Sequence, residues 1–226
     1  MPIIAKYQQM KLIDLSHILN ENITVYPDTI PPTFEISNTV EKDGFTEIKM
    51  TMASHTGTHI DAPCHIIQDT KSLDQFPVDK FVGKAIVIPC QDKEDITLEY
   101  LQTYEDRIAQ VDFILFITGW QYKWKTKDYF SDSQIPTIEA AKWLTKFKLK
   151  GIGIDSFSVD KIVSAESVTS ENLPNHHILL GKEILLIESL TNLDKLPDRV
   201  FSFQCLPLNI ENADGSPVRA IAMINE

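Results

Sequence analysis

An α/β protein, a system of mixed sheets with a few covering helices, is what three observations on this sequence predict. Short aliphatic runs recur through the last two thirds of the chain, helical patterns fall between them, and the first third alternates in shorter pieces. Taken in order, Asn20 to Met52 carries Pro27, Pro31 and Pro32 in loops and the alternating piece Thr46 to Met52, the pattern of antiparallel strands. Ala85 to Ile88, Phe113 to Ile117, Gly151 to Ile154, Glu183 to Ile187 and Arg219 to Ile224 have the length and β-branched content of buried strands. Between them, Thr97 to Ile108 and Pro136 to Lys148 read as helices. The second has proline at its first turn and sets Ala140, Trp143, Leu144 and Phe147 on one side.

At 226 residues, with neither an internal repeat nor a Pro/Gly/Ser-rich linker, residues 1–226 are expected to form one domain large enough to bury a core without disulfides. No apolar run is long enough to span a bilayer, and the first residues lack the apolar core and small-residue cleavage site of a secretory signal. Cys64, Cys90 and Cys205 are odd in number and far apart, so a reducing cytoplasm and small buried thiols are expected. A net charge of −11 argues against nucleic acid or an anionic membrane as partner and for a small-molecule ligand.

The chemistry is concentrated between His55 and His65. The segment reads His55-Thr-Gly57-Thr58-His59-Ile-Asp61-Ala-Pro63-Cys-His65 and holds three of the six histidines. Clustering of this kind is what metal ligands show. Gly57 and Pro63 interrupt any regular element, so the segment is expected to be a loop held against the sheet, bringing His55, His59 and Asp61 round one ion. Imidazole with carboxylate suits Zn, Mn or Fe, and the scarcity of nearby thiolates points to a catalytic site. An Asp can bridge two ions if further donors arrive from elsewhere. His176 and Glu188 can supply them, from the ends of one hairpin-like segment. Glu188 directly follows four aliphatic residues, where a carboxylate is costly to bury without a cation. His17 and His177 read as ordinary surface or core histidines.

The pattern His-x-Gly-Thr-His-x-Asp-x-Pro-x-His from His55 to His65 resembles the signature of the cyclase family of metal-dependent hydrolases, to which bacterial kynurenine formamidase and isatin hydrolase belong. The resemblance extends to Asp14-Leu-Ser16, Tyr26-Pro27-Asp28, Val82-Gly-Lys-Ala85, Thr118-Gly-Trp120, Gly153-Ile-Asp155, His176-x-x-Leu-Leu180, Ile187-Glu188 and Asp214-Gly-Ser-Pro-Val-Arg219. It implies a swivelling β/β/α fold and two divalent ions, Zn or Mn. His55, His59 and Asp61 would hold one, His176 the second, with Asp61 and Glu188 bridging. His65 resembles the family's general acid/base. A homodimer or homotetramer is implied as well. Where the formamidases usually carry Trp-Pro-Gly-Asp, this chain has Tyr26-Pro27-Asp28-Thr29. Tyr26 would take the place of the tryptophan against the substrate, and the missing glycine changes the turn.

The expected activity is hydrolysis of a small amide, formamide or lactam. Two other readings stand beside it. His59, Asp61 and His176 satisfy the two-His-one-carboxylate triad of a non-haem iron oxygenase. That reading leaves His55 and His65 unused, and Leu186 stands where 2-oxoglutarate users place an arginine. A metal-binding protein without catalysis is the third.

Overall fold

Residues 10–26, 29–161 and 172–225 are described by the computed structural model. Eleven strands occur among them: β1 (Met10–Asp14), β2 (Thr33–Asn38), β3 (Glu47–Thr51), β4 (His59–Asp61), β5 (Val82–Pro89), β6 (Phe113–Ile117), β7 (Gly151–Ile154), β8 (Leu185–Glu188), β9 (Phe201–Gln204), β10 (Gly215–Pro217) and β11 (Ile221–Asn225). The α-helices are α1 (Val40–Asp43), α2 (Leu98–Gln102), α3 (Glu105–Ile108), α4 (Ile138–Leu144) and α5 (Pro174–Leu180).

Nine strands form one mixed sheet in the order β1-β11-β9-β5-β6-β7-β8-β4-β10, while β2 and β3 pair separately as an antiparallel hairpin. The centre, β5 to β8, is parallel and its flanks are antiparallel. Side chains alternate across a strand, so the apolar runs of the parallel centre read as continuous because both faces are covered. Along β6, Phe113, Leu115 and Ile117 enter one core. Ile114 and Phe116 enter the other, with Leu101, Ile108, Ala140, Leu144 and Leu179 from the helices. The first core also takes residues from the two ends of the sheet, Ile13, Leu15 and Ala222 from one and Ile60 and Ala62 from the other. The sheet is therefore curled round it, as the expected fold class requires.

Three sequence expectations are corrected in detail. The helix anticipated from Thr97 to Ile108 is two short helices broken at Thr103 and Tyr104; Thr97 caps the first by accepting from the Tyr100 amide. The second expected helix is shortened to α4 because Thr137, one residue past Pro136, is its cap, accepting from the Ala140 amide. The strand expected to start at Glu183 starts at Leu185, since Glu183 has φ +57° and ends the turn that follows α5. His176 and Glu188 thus sit on a helix and a strand, not on the two arms of a hairpin.

Several of the quoted landmarks prove to be joints of the fold. Asp155 lies buried beyond β7, and its carboxylate accepts from the Thr118 amide at 2.8 Å, the Thr118 hydroxyl at 2.6 Å and the Gly119 amide at 2.9 Å. Arg219 donates to both oxygens of Asp14, at 2.8 and 2.7 Å, and the Ser16 hydroxyl accepts from the Ala220 amide. These bonds tie loops between strands that are distant in sequence.

Candidate metal centre

The loop expected around His55 is a loop only up to Thr58. Gly57 takes φ +70°, a left-handed conformation that L side chains rarely adopt, so a larger residue would strain the turn that swings His55 back over His59. His59–Asp61 is a strand, because Ile60 buries in the core and the backbone is paired on both sides, by β8 and by β10. In that register His59 lies directly opposite Glu188, and Asp61 two residues on shares its face. From the helical layer, α5 brings in His176. Pro63–His65 forms a single 3₁₀ turn that carries His65 to the rim.

The donor atoms converge. His55 Nδ1 is 2.8 Å and His59 Nε2 3.3 Å from Asp61 Oδ1. His176 Nε2 is 3.5 Å from Glu188 Oε1 and 3.9 Å from Asp61 Oδ2, while His59 Nε2 is 3.6 Å from Glu188 Oε2. Three groups among the described residues have donors close enough for an ion: His55, His59 and Asp61; Asp61, His176 and Glu188; and His55, His65 and Asp214. Asp61 is common to the first two, one oxygen turned to each set.

Each imidazole of these two sets is held from behind. His59 Nδ1 donates to the Gly57 carbonyl at 2.8 Å, His176 Nδ1 to Asp160 at 2.7 Å, and His55 Nε2 to Asp214 at 2.9 Å. Partners of this kind fix the tautomer and aim the other nitrogen at an ion. Burial grades outward: the Asp61, His176, Glu188 and His59 side chains are 1–7% exposed, His55 and His65 are 23% and 29%, and Asp214 is 47%.

Charge in the pocket calls for a cation. Burial alone would push Asp61 up, but the imidazoles of His55 and His59 outweigh it and hold its carboxyl well below the usual range. Burial would likewise lower His55 and His176. Asp61 and Asp214 around the first, and Asp160 and Glu188 around the second, raise both to about 10. His59 is lowered by its burial against the pull of Asp61. Glu188 Oε1 has no hydrogen-bond partner although it is buried. An unpaired carboxylate oxygen beside imidazoles, where a hydrogen bond is normally obligatory, is what a divalent ion satisfies, and the all-nitrogen-and-oxygen donor set suits Zn or Mn. The residues present therefore fit the ions.

Above the donors lies a cavity of about 230 Å³. Its walls are aromatic: Tyr26, Trp124, Tyr129, Phe130 and Phe157. Tyr26 meets Phe130 edge-on at 5.6 Å, and Phe130 meets Phe157 at 5.2 Å. Tyr129 is pinned through its hydroxyl to Ser189, 2.9 Å away. Among the other aromatic side chains, Phe76 and Trp120 are buried away from the cavity, and Phe45 is exposed between β2 and β3. Pro27 and Asp28, on which the altered turn after Tyr26 depends, lie outside the described residues. His17 stacks on Trp124 at 3.9 Å, and His177 is half-buried away from the donors.

All the residues predicted for the site, His55, His59, Asp61, His65, His176, Glu188 and Tyr26, thus line one cavity. Sequence reasoning passed over Asp160, Asp214, Trp124 and Phe157. Asp214 stood inside a stretch already singled out, whereas Asp160 carries no local signal.

Fold and donor set together define an α/β protein with a candidate metal centre beneath a small aromatic pocket. The model of the family described as "Putative cyclase" matches residues 13–161, and the chain belongs to that family. It is 36% identical over 211 residues to the kynurenine formamidase of Geobacillus thermodenitrificans, covering 92% of this chain and 95% of the relative. It is 34% identical over 216 residues to that of Bacillus cytotoxicus, with the same coverage. Among solved structures, isatin hydrolase A of Labrenzia aggregata bound to benzyl benzoate superposes with a TM-score of 0.84 at 28% identity, over 96% of this chain and 94% of that one. Isatin hydrolase A of Ralstonia solanacearum gives 0.82 at 25%, over 95% and 92%.

Proposed function

We infer that this protein is a metal-dependent hydrolase acting on a C–N bond other than a peptide bond, in a small amide, formamide or lactam, and that an aryl formamide of the kynurenine formamidase type is its substrate. The observation that carries the reading is Asp61, placed by the β4–β8 register between two sets of donors beneath an aromatic cavity. His55, His59 and Asp61 would hold one Zn or Mn ion and His176 the other, with Asp61 and Glu188 shared.

Such ions supply a water of lowered pKa and polarise the substrate carbonyl. The chain's own groups do the rest. His65, at the half-open rim, takes a proton from the attacking water as the C–O bond forms. It returns that proton to the nitrogen as the C–N bond breaks, releasing an acid and an amine. Tyr26, Trp124 and Phe130 bind the aryl part and keep bulk water from it.

A lactam is the second reading, favoured by the likeness to isatin hydrolase structures; the chemistry is the same, with the leaving nitrogen tethered. Hydrolysis of N-formylkynurenine, isatin and simple aryl formamides by Zn- and Mn-loaded protein decides between them. Turnover that vanishes on chelation and returns with metal is expected. No turnover across amides, lactams and lactones overturns the reading in favour of metal binding alone, and oxygen uptake with iron would favour an oxygenase.

Residues 1–226 are read as one domain, and the cytoplasm as its compartment, in keeping with three free cysteines, two of them buried. No helix among the described residues is long and apolar enough to cross a membrane. Assembly as a homodimer or homotetramer is supported by the β2–β3 hairpin. Phe34, Ile36, Ile48 and Met50 share one of its faces by register, and Ile36, Ile48 and Met50 are more than half exposed. A lone hairpin is marginal in water. A second copy laid reciprocally on this face would cover its exposed apolar side chains.

A further inference from the structure

Asp214 belongs to neither of the two donor sets that share Asp61, and three observations set it apart. Its Oδ2 is 2.9 Å from His55 Nε2 and 3.6 Å from His65 Nδ1, so one carboxylate oxygen faces both rings. The two rings lie 4.0 Å apart between centroids. The next residue, Gly215, has its backbone against the His55 ring: a Cβ there would stand 2.5 Å from Cε1 and 2.7 Å from Nε2. Register fixes this clamp, since Gly215 pairs with Asp61 across β10 and β4, and the Asp214 carbonyl accepts from the Ala62 amide at 2.8 Å. Nearly half its side chain is exposed, and its ion-pair partners among the described residues are these two imidazoles. An exposed Asp free to turn to water has no structural need to sit there.

We propose that Asp214 is a positioning residue shared by the metal-binding and proton-carrying halves of the centre, fixing the tautomer of His55 and the orientation of His65. A carboxylate can only accept, and both ring nitrogens of His55 face one; Nδ1, 2.8 Å from Asp61, is the nitrogen on the side of the donor sets and would give up its proton to an ion there, while Asp214 keeps the proton on Nε2. The same charge draws the Nδ1–H side of His65 towards it, which leaves Nε2 for the substrate. The role toward His65 rests on the reading of that residue as the proton carrier; the role toward His55 does not.

Asp214→Ala, Asp214→Asn and Asp214→Glu in the full chain test this. Competition for Zn²⁺ against a chromophoric chelator should show Asp214→Ala binding about ten- to a hundredfold more weakly, Asp214→Asn between it and wild type, and Asp214→Glu partly restored. In long-range ¹H–¹⁵N spectra of the zinc-loaded protein, His65 should be protonated at Nδ1 in the wild type and a tautomer mixture in Asp214→Ala. At saturating zinc, kcat on N-formylkynurenine should fall at least about tenfold with KM unchanged. Asp214→Asn is isosteric at an exposed position and serves if the alanine variant folds poorly. Zinc affinity within twofold of wild type overturns the role toward His55. An unchanged His65 tautomer, or a kcat restored by saturating zinc, overturns the role toward His65. If no form turns over any substrate while zinc affinity still falls in Asp214→Ala, the hydrolase reading fails and the His55 assignment stands.

Discussion

Asp160 offers a sharp perturbation of the half of the centre built by Asp61, His176 and Glu188. It is buried, and its two oxygens accept three hydrogen bonds at the start of α5: Oδ1 from the Asn175 amide at 2.9 Å, Oδ2 from the His176 amide at 2.9 Å and from His176 Nδ1 at 2.7 Å. In Asp160→Asn one oxygen becomes an NH₂. Turned to Asn175, that group leaves a buried amide donor unpaired, at about 1–3 kcal/mol. Turned to His176, it meets a donor, and the imidazole proton must move to Nε2, the nitrogen that faces Asp61 and Glu188. Either way His176 is a poorer ligand, by a factor of about 10–100, or roughly 1.4–2.7 kcal/mol. Stepwise Zn²⁺ titration of the metal-free protein against a competing chelator should show one affinity reduced by that factor and the other, set by His55 and His59, within about twofold of wild type. Melting of the metal-free variant should drop by roughly 2–4 °C for each kcal/mol lost. Two unchanged affinities would refute the argument, and so would an equal loss at both, because Asp160 would then not be acting through His176.

Three further outcomes are expected. Replacing His65 by Ala or Asn should lower kcat by about a hundred- to ten-thousandfold while zinc content stays at the wild-type level; activity that tracks a loss of metal would make His65 a ligand. Ile36→Lys with Ile48→Lys puts like charges on a cross-strand pair of the hairpin's apolar face. Sedimentation velocity should then show a smaller species than the wild type, and a wild-type monomer or an unchanged double variant would count against assembly through the arm. For His17, burial and then Lys125 lower the pKa to about 4 against an ordinary value of 6.5. The folded state therefore binds fewer protons than the unfolded chain between those values, and stability present above about pH 6.5 is lost as pH falls toward 4. His17 is partly exposed, so the loss is discounted to about 1 kcal/mol. His17→Phe, which keeps a ring against Trp124, should flatten the fall of Tm over that range, and an identical pH slope would remove His17 as its cause.

The fold was legible where burial on both faces wrote itself as an unbroken aliphatic run, as in Phe113 to Ile117. It was less so where a side-chain cap or a left-handed residue decides an end, as at Thr137 and Glu183. The centre divides in the same way. His55, His59 and Asp61 lie within one turn and one strand, so their spacing carried the chemistry. Asp160 and Asp214 reach theirs only through tertiary register, and single aspartates far from their partners give no periodic or compositional sign.

Register also explains why so short a strand can define the centre. β4 has three residues; its middle one, Ile60, is fully buried in the core below while His59 and Asp61 face the opposite way. A slip of one residue would put Ile60 among the donors and bury His59 or Asp61 in an apolar core, so the hydrophobic anchor sets the ligand positions. On one side β8 ends in Glu188 at the carboxyl end of the parallel strands, the edge where open α/β sheets place their ligands. On the other, antiparallel β10 begins beside Asp61 and leaves Asp214 at the rim. The switch from parallel to antiparallel pairing at β4 thus gathers groups more than a hundred residues apart in sequence around one carboxylate, with His59, His176 and Glu188 on the buried side and His65 and Asp214 on the side open to water.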